Sequence, residues 1–183
     1  TLLKLGKIQD AEASFKKAVA LKPNYAEAHN NLGATFKEQG KLSEAAKSFS
    51  RATVVKPDYA EAHNNLGVML KALGKFDQAK ASYTQAISLA PYNAEAHRHL
   101  TLLKKFHSKD RQYSKMLEIY SDQNISKKNR CHINFALAKA YEDHGEFGEA
   151  FSHLKEGNLI RKELLNYCID QDRERFKNIK STY

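Results

Sequence analysis

Amide and basic side chains recur along this chain at a fixed interval of about 34 residues, the period typical of helical repeats. The recurring residues are Asn30 and Asn31, Asn64 and Asn65, and Lys37 and Lys71. Because an asparagine amide both donates and accepts hydrogen bonds, a row of them can pair with the backbone of an extended peptide. A lysine row beside it favours acidic side chains or a carboxylate. The alternative is that these asparagines only keep an exposed helix face soluble. Against it, asparagine is a mediocre helix former, so its recurrence on a helix needs a reason.

Three histidines, His29, His63 and His97, recur at the same interval and could suggest a metal site. Neighbouring packed helices lie about 10 Å apart, whereas ligands to one zinc ion must all lie about 2 Å from it. Residues two apart on a helix, such as His97 and His99, point in different directions. The sequence therefore predicts that the recurring histidines pack, and it predicts no metal site.

Catalytic motifs are missing from the sequence. It contains no Gly-rich phosphate loop, no HExxH pair and no nucleophile elbow, and its acidic residues show no recognisable paired arrangement. We therefore expect this segment to be neither an enzyme nor a binder of cofactors.

The formal charge of +9 is concentrated between residues 98 and 130, where nine Lys and Arg face three acidic residues. A basic stripe of this kind can hold nucleic acid or an acidic partner. The same charge pattern is also typical of a solvent-exposed helix face that binds nothing, because Lys and Arg normally populate exposed helix positions. The solvated face is the interpretation we favour, so nucleic acid is not the expected partner.

The composition indicates a reducing compartment. Two cysteines, Cys131 and Cys168, are too few for a disulfide framework, and we expect both to be small buried hydrophobic residues. The sequence shows neither a signal-peptide core nor an apolar run of the roughly 20 residues that a membrane span needs. The expected location is the cytoplasm.

Two amphipathic helices are predicted within each period. In the first complete period they cover about residues 26–39 and 42–54, with apolar residues at helical spacing. Four glycines, Gly6, Gly40, Gly74 and Gly145, stand at the same turn between paired helices. Asp58 followed by Glu61 reads as a capping box that opens the next helix.

This pattern resembles the tetratricopeptide repeat, a helix-pair unit of the same period. The family pattern has a bulky residue at position 4, Leu at 7, small residues at 8, 20 and 27, aromatic residues at 11 and 24, and Pro at 32. From Ala26 the matching residues are His29, Leu32, Gly33, Phe36, Ala45, Phe49, Ala52 and Pro57. From Ala60 they are His63, Leu66, Gly67, Leu70, Ala79, Tyr83, Ala86 and Pro91. The resemblance implies an all-α fold, a right-handed α-solenoid of helix-turn-helix repeats.

The predicted organisation is a single repeat domain. Its parts are a partial repeat at 1–25, repeats at 26–59 and 60–93, a degenerate repeat at 94–130, a repeat at 131–164, and a C-terminal capping or linker helix within 165–183. We expect the tail of a first helix at residues 1–5 and a final helix at about 170–180. Because the chain starts inside a repeat, it is expected to be a fragment of a longer array or a trimmed piece of one.

The third repeat departs from the pattern. Thr101 and Lys104 occupy positions 8 and 11, and a longer turn around 107–111 places Met116 and Tyr120 at positions 20 and 24. A short second helix, a loop at 122–125 and a helix capped by Ser126 should follow. Since solenoid stability is roughly a sum of repeat and interface terms, coupling should be weakest here and the repeat should act as a soft joint.

The family resemblance also implies which residues face a ligand, because the first helix of each pair lines a concave groove in this family. The candidate peptide contacts are Asn30, Asn31, Lys37, Asn64, Asn65, Lys71, Arg98, His99 and Lys105, with Phe106 beside them. The asparagine ladder resembles that of O-linked N-acetylglucosamine transferase. The clamp that some of these repeats use for chaperone tails is not expected, because only Asn65 matches it. The implied function is a protein-interaction module that binds an extended or acidic peptide.

The C-terminal part carries a second resemblance. Residues 133–143 and the Gly and Ala positions that follow resemble the last repeat of bacterial proteins that join such repeats to a sulfotransferase domain. That resemblance implies an alternative function, the substrate-recruiting arm of a larger transferase. Binding of nucleic acid through the basic stretch is the third hypothesis.

Overall fold

Helix follows helix throughout the described part of the chain. The computed structural model describes residues 7–166 of the 183. Within that range there are nine helices and no strands. They are α1 (Ile8–Leu21), α2 (Ala26–Glu38), α3 (Leu42–Val55), α4 (Ala60–Ala72), α5 (Phe76–Leu89), α6 (Ala94–Thr101), α7 (Arg111–Ser121), α8 (Lys127–Asp143) and α9 (Phe147–Leu164). The predicted tail at 1–5, Gly6, Cys168 and the helix at 170–180 lie outside the described residues.

The chain forms two compact units rather than one continuous set of contacts. The first runs to Lys104 and contains α1–α6, and the second starts at Lys105 and contains α7–α9. In both units, helices adjacent in the sequence pack against each other. The predicted all-α solenoid class is confirmed.

The first unit owes its close helix packing to glycines at the eighth repeat position. A Cβ atom added at Gly33 would lie 2.8 Å from the Phe49 ring, and one at Gly67 would lie 2.6 Å from the Tyr83 ring. Phe49 and Tyr83 are almost fully buried. The aromatic residue of the second helix thus occupies the space that a side chain on the first helix would need, which is why this position requires a small residue.

The turns between repeats are held by the recurring histidines. The ring Nε2 of His29 lies 2.8 Å from the carbonyl oxygen of Pro23, and the His63 and His97 rings make the same contact six residues back at 3.0 and 2.9 Å. Each histidine therefore fixes the preceding inter-repeat turn to its own helix. The predicted packing role is seen at His97, which is fully buried, whereas His29 and His63 are half-buried and make the turn contact.

Helix ends agree with the sequence at some points and differ at others. Gly40 and Gly74 adopt φ of +73° and +74°, which fits the predicted left-handed stop. Ser126 caps α8 by accepting from the Asn129 N–H, as predicted. The predicted capping box at Asp58 is wrong. Asp58 lies in the turn and its backbone carbonyl accepts from the Ala60 N–H, so Tyr59 becomes the N-cap and contributes no side-chain bond.

The third repeat is more irregular than the sequence indicates. Helix α6 ends at Thr101, and residues 102–110 are not helical, so the expectation that Lys105 and Phe106 continue this helix is wrong. Phe106 is instead buried in the second unit, where its N–H donates to Asp143 Oδ2 at 3.0 Å. The predicted short second helix, with Met116 buried, and the following non-helical segment are confirmed.

The second unit is built around α8, which packs against both α7 and α9. Its core contains Met116, Ile133 and Leu137, all fully buried. Cys131 is buried as predicted, and its thiol lies 3.5 Å from the Gly157 carbonyl oxygen. Gly157 lets α9 approach α8, since an added Cβ would lie 3.2 Å from Asn134 Cβ.

Candidate functional site

The first helices of the repeats in unit one share an exposed stripe, which we call the groove face. On each helix its members are spaced i, i+4, i+7 and i+11, one side of an α-helix, and they are exposed or half-buried. The groove face consists of Glu27, Asn31, Ala34 and Glu38 on α2, Glu61, Asn65, Val68 and Ala72 on α4, and Glu95, His99 and Leu102 on or just after α6. Across the repeats this gives an acidic row, a polar row and an apolar row.

The predicted asparagine ladder divides into two kinds of residue. Asn30 and Asn64, the first of each pair, are only 3% and 5% exposed and lie between repeats. Asn30 donates to Glu61 Oε1 at 3.2 Å and accepts from Asn65 Nδ2 at 3.1 Å. These two amides therefore act inside the protein, and the prediction that they face a ligand does not match where the structure places them.

The second asparagine of each pair is better placed to meet a ligand. Asn31 is exposed and Asn65 is half-buried. The Asn65 side chain donates a hydrogen bond to the buried Asn30 of the preceding repeat. His99 occupies the same position one repeat later, and its Nδ1 lies 3.3 Å from Oδ1 of the buried Asn64. The buried amide of one repeat thus orients the groove-face residue of the next.

The lysines Lys37 and Lys71 lie in the last turns of α2 and α4, beside the groove face. Lys37 is exposed and Lys71 half-buried, and neither forms an ion pair with any residue between 7 and 166. Arg98 is half-buried on α6. Lys105 lies off the helix and belongs to the second unit. The structure therefore brings Lys37, Lys71 and Arg98 to the first helices and leaves Lys105 out.

Glu27, Glu61 and Glu95 form an acidic row that was not among the predicted contacts. Its signal was present, because each of the three lies in an Ala-Glu-Ala-His segment that recurs once in every period. The Glu27 carboxylate lies 3.3 Å from Lys56 Nζ, and a bond to its own backbone together with this lysine lowers the pKa of Glu27. The acidic row begins the first helices and the lysines end them, so the two rows lie about 15 Å apart along each helix.

A small polar pocket of about 230 Å³ lies in the second unit. Its lining residues are Tyr120, Gly148, Glu149, Ser152, His153 and Glu156. The Tyr120 hydroxyl donates to Glu156 Oε2 at 2.7 Å, a bond that raises the pKa of Tyr120. His153 Nδ1 lies 2.8 Å from Asn134 Oδ1, and burial lowers the pKa of His153. Arg130 lies 3.6 Å from Glu156, so the negative charge of Glu156 in this pocket is already paired with a cation of the same chain.

The described part of the chain offers neither a metal centre nor a membrane-crossing helix. No group of three or more His, Cys, Asp or Glu side chains between residues 7 and 166 could hold a metal ion. None of the helices in that range combines the length and apolarity that a membrane crossing requires.

Sequence comparison identifies the repeats. The family described as TPR repeat matches residues 1–40 and 35–74, and the family described as Tetratricopeptide repeat matches residues 60–93. The chain belongs to the tetratricopeptide repeat family. No curated protein matches it significantly.

Solved structures share the fold at low sequence identity. A crystal structure of MamA is 23% identical, with a TM-score of 0.65 over 91% of this chain and 95% of that one. YrrB, described as a TPR protein with an unusual peptide-binding site, is 18% identical, with a TM-score of 0.64 over 87% of this chain and 80% of that one. The first TPR of Spaghetti (RPAP3), bound to the HSP90 peptide SRMEEVD, is 24% identical, with a TM-score of 0.54 over 56% of this chain and 81% of that one.

Proposed function

We propose that this protein is an interaction module whose groove face binds an extended segment of a partner protein. The observation that carries the proposal is the pairing of a buried amide with a more exposed side chain at successive repeats. Asn30 fixes Asn65, and Asn64 fixes His99. A side chain that is already oriented loses less conformational entropy when a ligand binds, so this arrangement favours binding.

The chemistry of the rows suggests how a ligand would lie. A segment that crosses α2 and α4 meets amides that can pair with its backbone at Asn31 and Asn65, and small apolar contacts at Ala34 and Val68. Backbone pairing is independent of side-chain identity, so these amides supply affinity for extended chains in general.

Charge would set the orientation of the ligand. Acidic side chains or a carboxylate favour the end of the helices with Lys37 and Lys71, although Glu38 offsets part of the positive charge on α2. Basic side chains favour the end with Glu27 and Glu61. The ligand expected from these rows carries acidic groups on one edge and basic groups on the opposite edge. The peptide complex of RPAP3 and the peptide-binding description of YrrB concern proteins of the same fold and agree with this class of function.

Selection from a peptide library tests the proposal. The full chain is used to select binders from displayed random peptides, and their affinities are then measured for the wild type, the double variant N31A/N65A, and K80E as a control on a second helix. We expect N31A/N65A to weaken the selected peptides about tenfold or more and K80E to leave them within about twofold, since one lost hydrogen bond contributes about 1 kcal/mol. Equal affinities for all three proteins would contradict the proposal.

The nucleic-acid hypothesis has less support from the described residues. In the basic stretch, Lys109 pairs with Glu146 at 2.9 Å, Lys127 with Glu163 at 2.8 Å, and Lys115 with Glu118. These pairs neutralise part of the positive field. The recruiting-arm hypothesis stays a prediction based on the C-terminal sequence resemblance.

A further inference from the structure

A second, larger cleft lies in unit one between α3 and α5, over α4, and we call it the α3–α5 cleft. Its volume is about 710 Å³. The lining residues are Ser43, Ala46, Lys47, Ser50, Arg51 and Val54 from α3, Leu66, Leu70 and Leu73 from α4 or just after it, and Lys75, Gln78, Ala81 and Ser82 from α5 or the turn before it. None of them lies on the groove face, so this is a separate surface.

The corresponding place one repeat earlier holds a carboxylate. Glu12 on α1 forms ion pairs with Lys16 at 2.6 Å and Lys41 at 3.5 Å, and it accepts from Gln39 Nε2 at 2.7 Å. The bonds from Lys16 and Gln39 lower the pKa of Glu12 to about 2. This cluster shows how a carboxylate is bound between successive repeats of this chain.

The α3–α5 cleft keeps one of the two cations of this arrangement, because Ser50 stands one period after Lys16, and it lacks the carboxylate. One period after Glu12, Gln39 and Lys41 stand Ala46, Leu73 and Lys75, respectively. Lys47 and Arg51 add two more positive charges, and the lining contains no acidic residue. Within residues 7–166, Lys47 and Lys75 form no ion pair, and Arg51 donates only a long 3.4 Å bond to Asn24.

The floor of the cleft is apolar. Leu66, Leu70 and Leu73 follow one another at i, i+4 and i+7 along α4 and its C-cap, and Val54 on the rim is 64% exposed. An extended peptide would leave backbone groups without partners over such a floor, whereas a helix satisfies its own backbone hydrogen bonds. The α3 wall from Ser43 to Val54 is about 16 Å long, enough for about three helical turns.

We propose that the α3–α5 cleft docks an acidic amphipathic helix of a partner protein. The apolar face of that helix covers Leu66, Leu70 and Leu73. One of its carboxylates takes the place that Glu12 occupies one repeat earlier and pairs with Lys75. Lys47 and Arg51 contact further acidic residues along the rim.

The test uses a synthetic helical peptide of about five turns, with Leu at i, i+3, i+4 and i+7 and Glu at most other positions, against the full chain. A counterpart with Lys for Glu is the charge control. Ala46→Glu should place an internal carboxylate beside Lys75 and block the site, and Lys75→Glu should repel the peptide. Lys80→Glu makes the same charge change on α5 outside the cleft.

We expect the affinities of the acidic peptide for the wild type and for K80E to agree within about twofold. Its affinities for A46E and K75E should be about tenfold or more lower, which corresponds to a loss of about 1.4 kcal/mol of binding free energy. The Lys counterpart should not bind. Circular dichroism establishes whether each variant is folded. If A46E does not fold, K75E alone tests the site, because Lys75 is exposed and its substitution should not disturb the fold. Absence of wild-type binding, equal losses in K80E and K75E, or a loss of binding in N31A/N65A would each overturn the proposal.

Discussion

The side-chain amide of Asn65 donates a hydrogen bond to the side-chain oxygen of Asn30, 3.1 Å away and one repeat earlier. Asn30 in turn donates to Glu61 on the same helix as Asn65. The buried member of one asparagine pair therefore binds the next repeat at two points, and the exposed member, Asn31, is left to face solvent. Two adjacent residues of identical type thus have different roles.

The first prediction separates these roles by stability. Asn30→Ala removes two inter-repeat hydrogen bonds and should lower the free energy of unfolding by about 1–2 kcal/mol. Asn31→Ala, the matched control, should change it by less than about 0.5 kcal/mol, because Asn31 is exposed. Urea unfolding followed by circular dichroism gives both values. Equal effects of the two substitutions would mean that Asn30 is not the inter-repeat contact described.

The second prediction concerns the closeness of paired helices. Gly33→Ala places a Cβ 2.8 Å from the Phe49 ring, so it should destabilise the protein by about 1–3 kcal/mol. Gly148→Ala is the control, because nothing lies within 4 Å of its added Cβ in α9. It should be neutral or stabilise by up to about 1 kcal/mol, since Ala is the better helix former. Thermal melts that ranked the two variants the other way would contradict the packing register.

The third prediction concerns pH. The pKa of Glu12 falls from its usual 4.5 to about 2 in the folded protein, mainly through Lys16 and then Gln39. A carboxyl group with a lowered pKa stabilises the fold fully above its unfolded pKa, and that contribution is lost as the pH falls through the folded pKa. The difference in unfolding free energy between the wild type and E12Q should therefore be constant above about pH 5.5 and shrink between about pH 4.5 and 2. A difference that did not change with pH would exclude the Glu12 ion pairs as its source.

The fourth prediction concerns the third repeat. Residues 102–110 and 122–125, on either side of the short helix α7, contain no helix, and exposed backbone without helical hydrogen bonds opens more readily. Amide hydrogen exchange should therefore be faster over residues 107–125 than over 60–90. Equal or greater protection of 107–125 would show that this segment is rigid.

The fold was predictable where a position of the repeat accepts only one type of residue. Gly33 and Gly67 must be small because an aromatic ring faces each of them, and Gly40 and Gly74 end helices with positive φ. The period exposes such residues directly. The end of α6 was not predictable, because Phe106 is buried beside Asp143, a contact 37 residues away in the sequence.

The candidate site was predictable in part. The period locates the asparagine pairs, but burial separates Asn30 from Asn31, and burial depends on the neighbouring repeat rather than on residue type. The acidic row was visible in the repeated Ala-Glu-Ala-His segments, but a glutamate in the first turn of a helix is common for reasons of helix stability alone. The carboxylate-free α3–α5 cleft became visible only once Glu12 had been placed beside Lys41.

The central claim is that a partner segment binds the groove face, and nuclear magnetic resonance of the full chain with a library-selected peptide tests it most directly. The side-chain amide signals of Asn31 and Asn65 and the backbone signals of Ala34 and Val68 should shift in proportion to occupancy, while those of Ala81 on α5 stay unchanged. Shifts confined to α3 and α5, or to the second unit, with Asn31 and Asn65 unaffected, would contradict it.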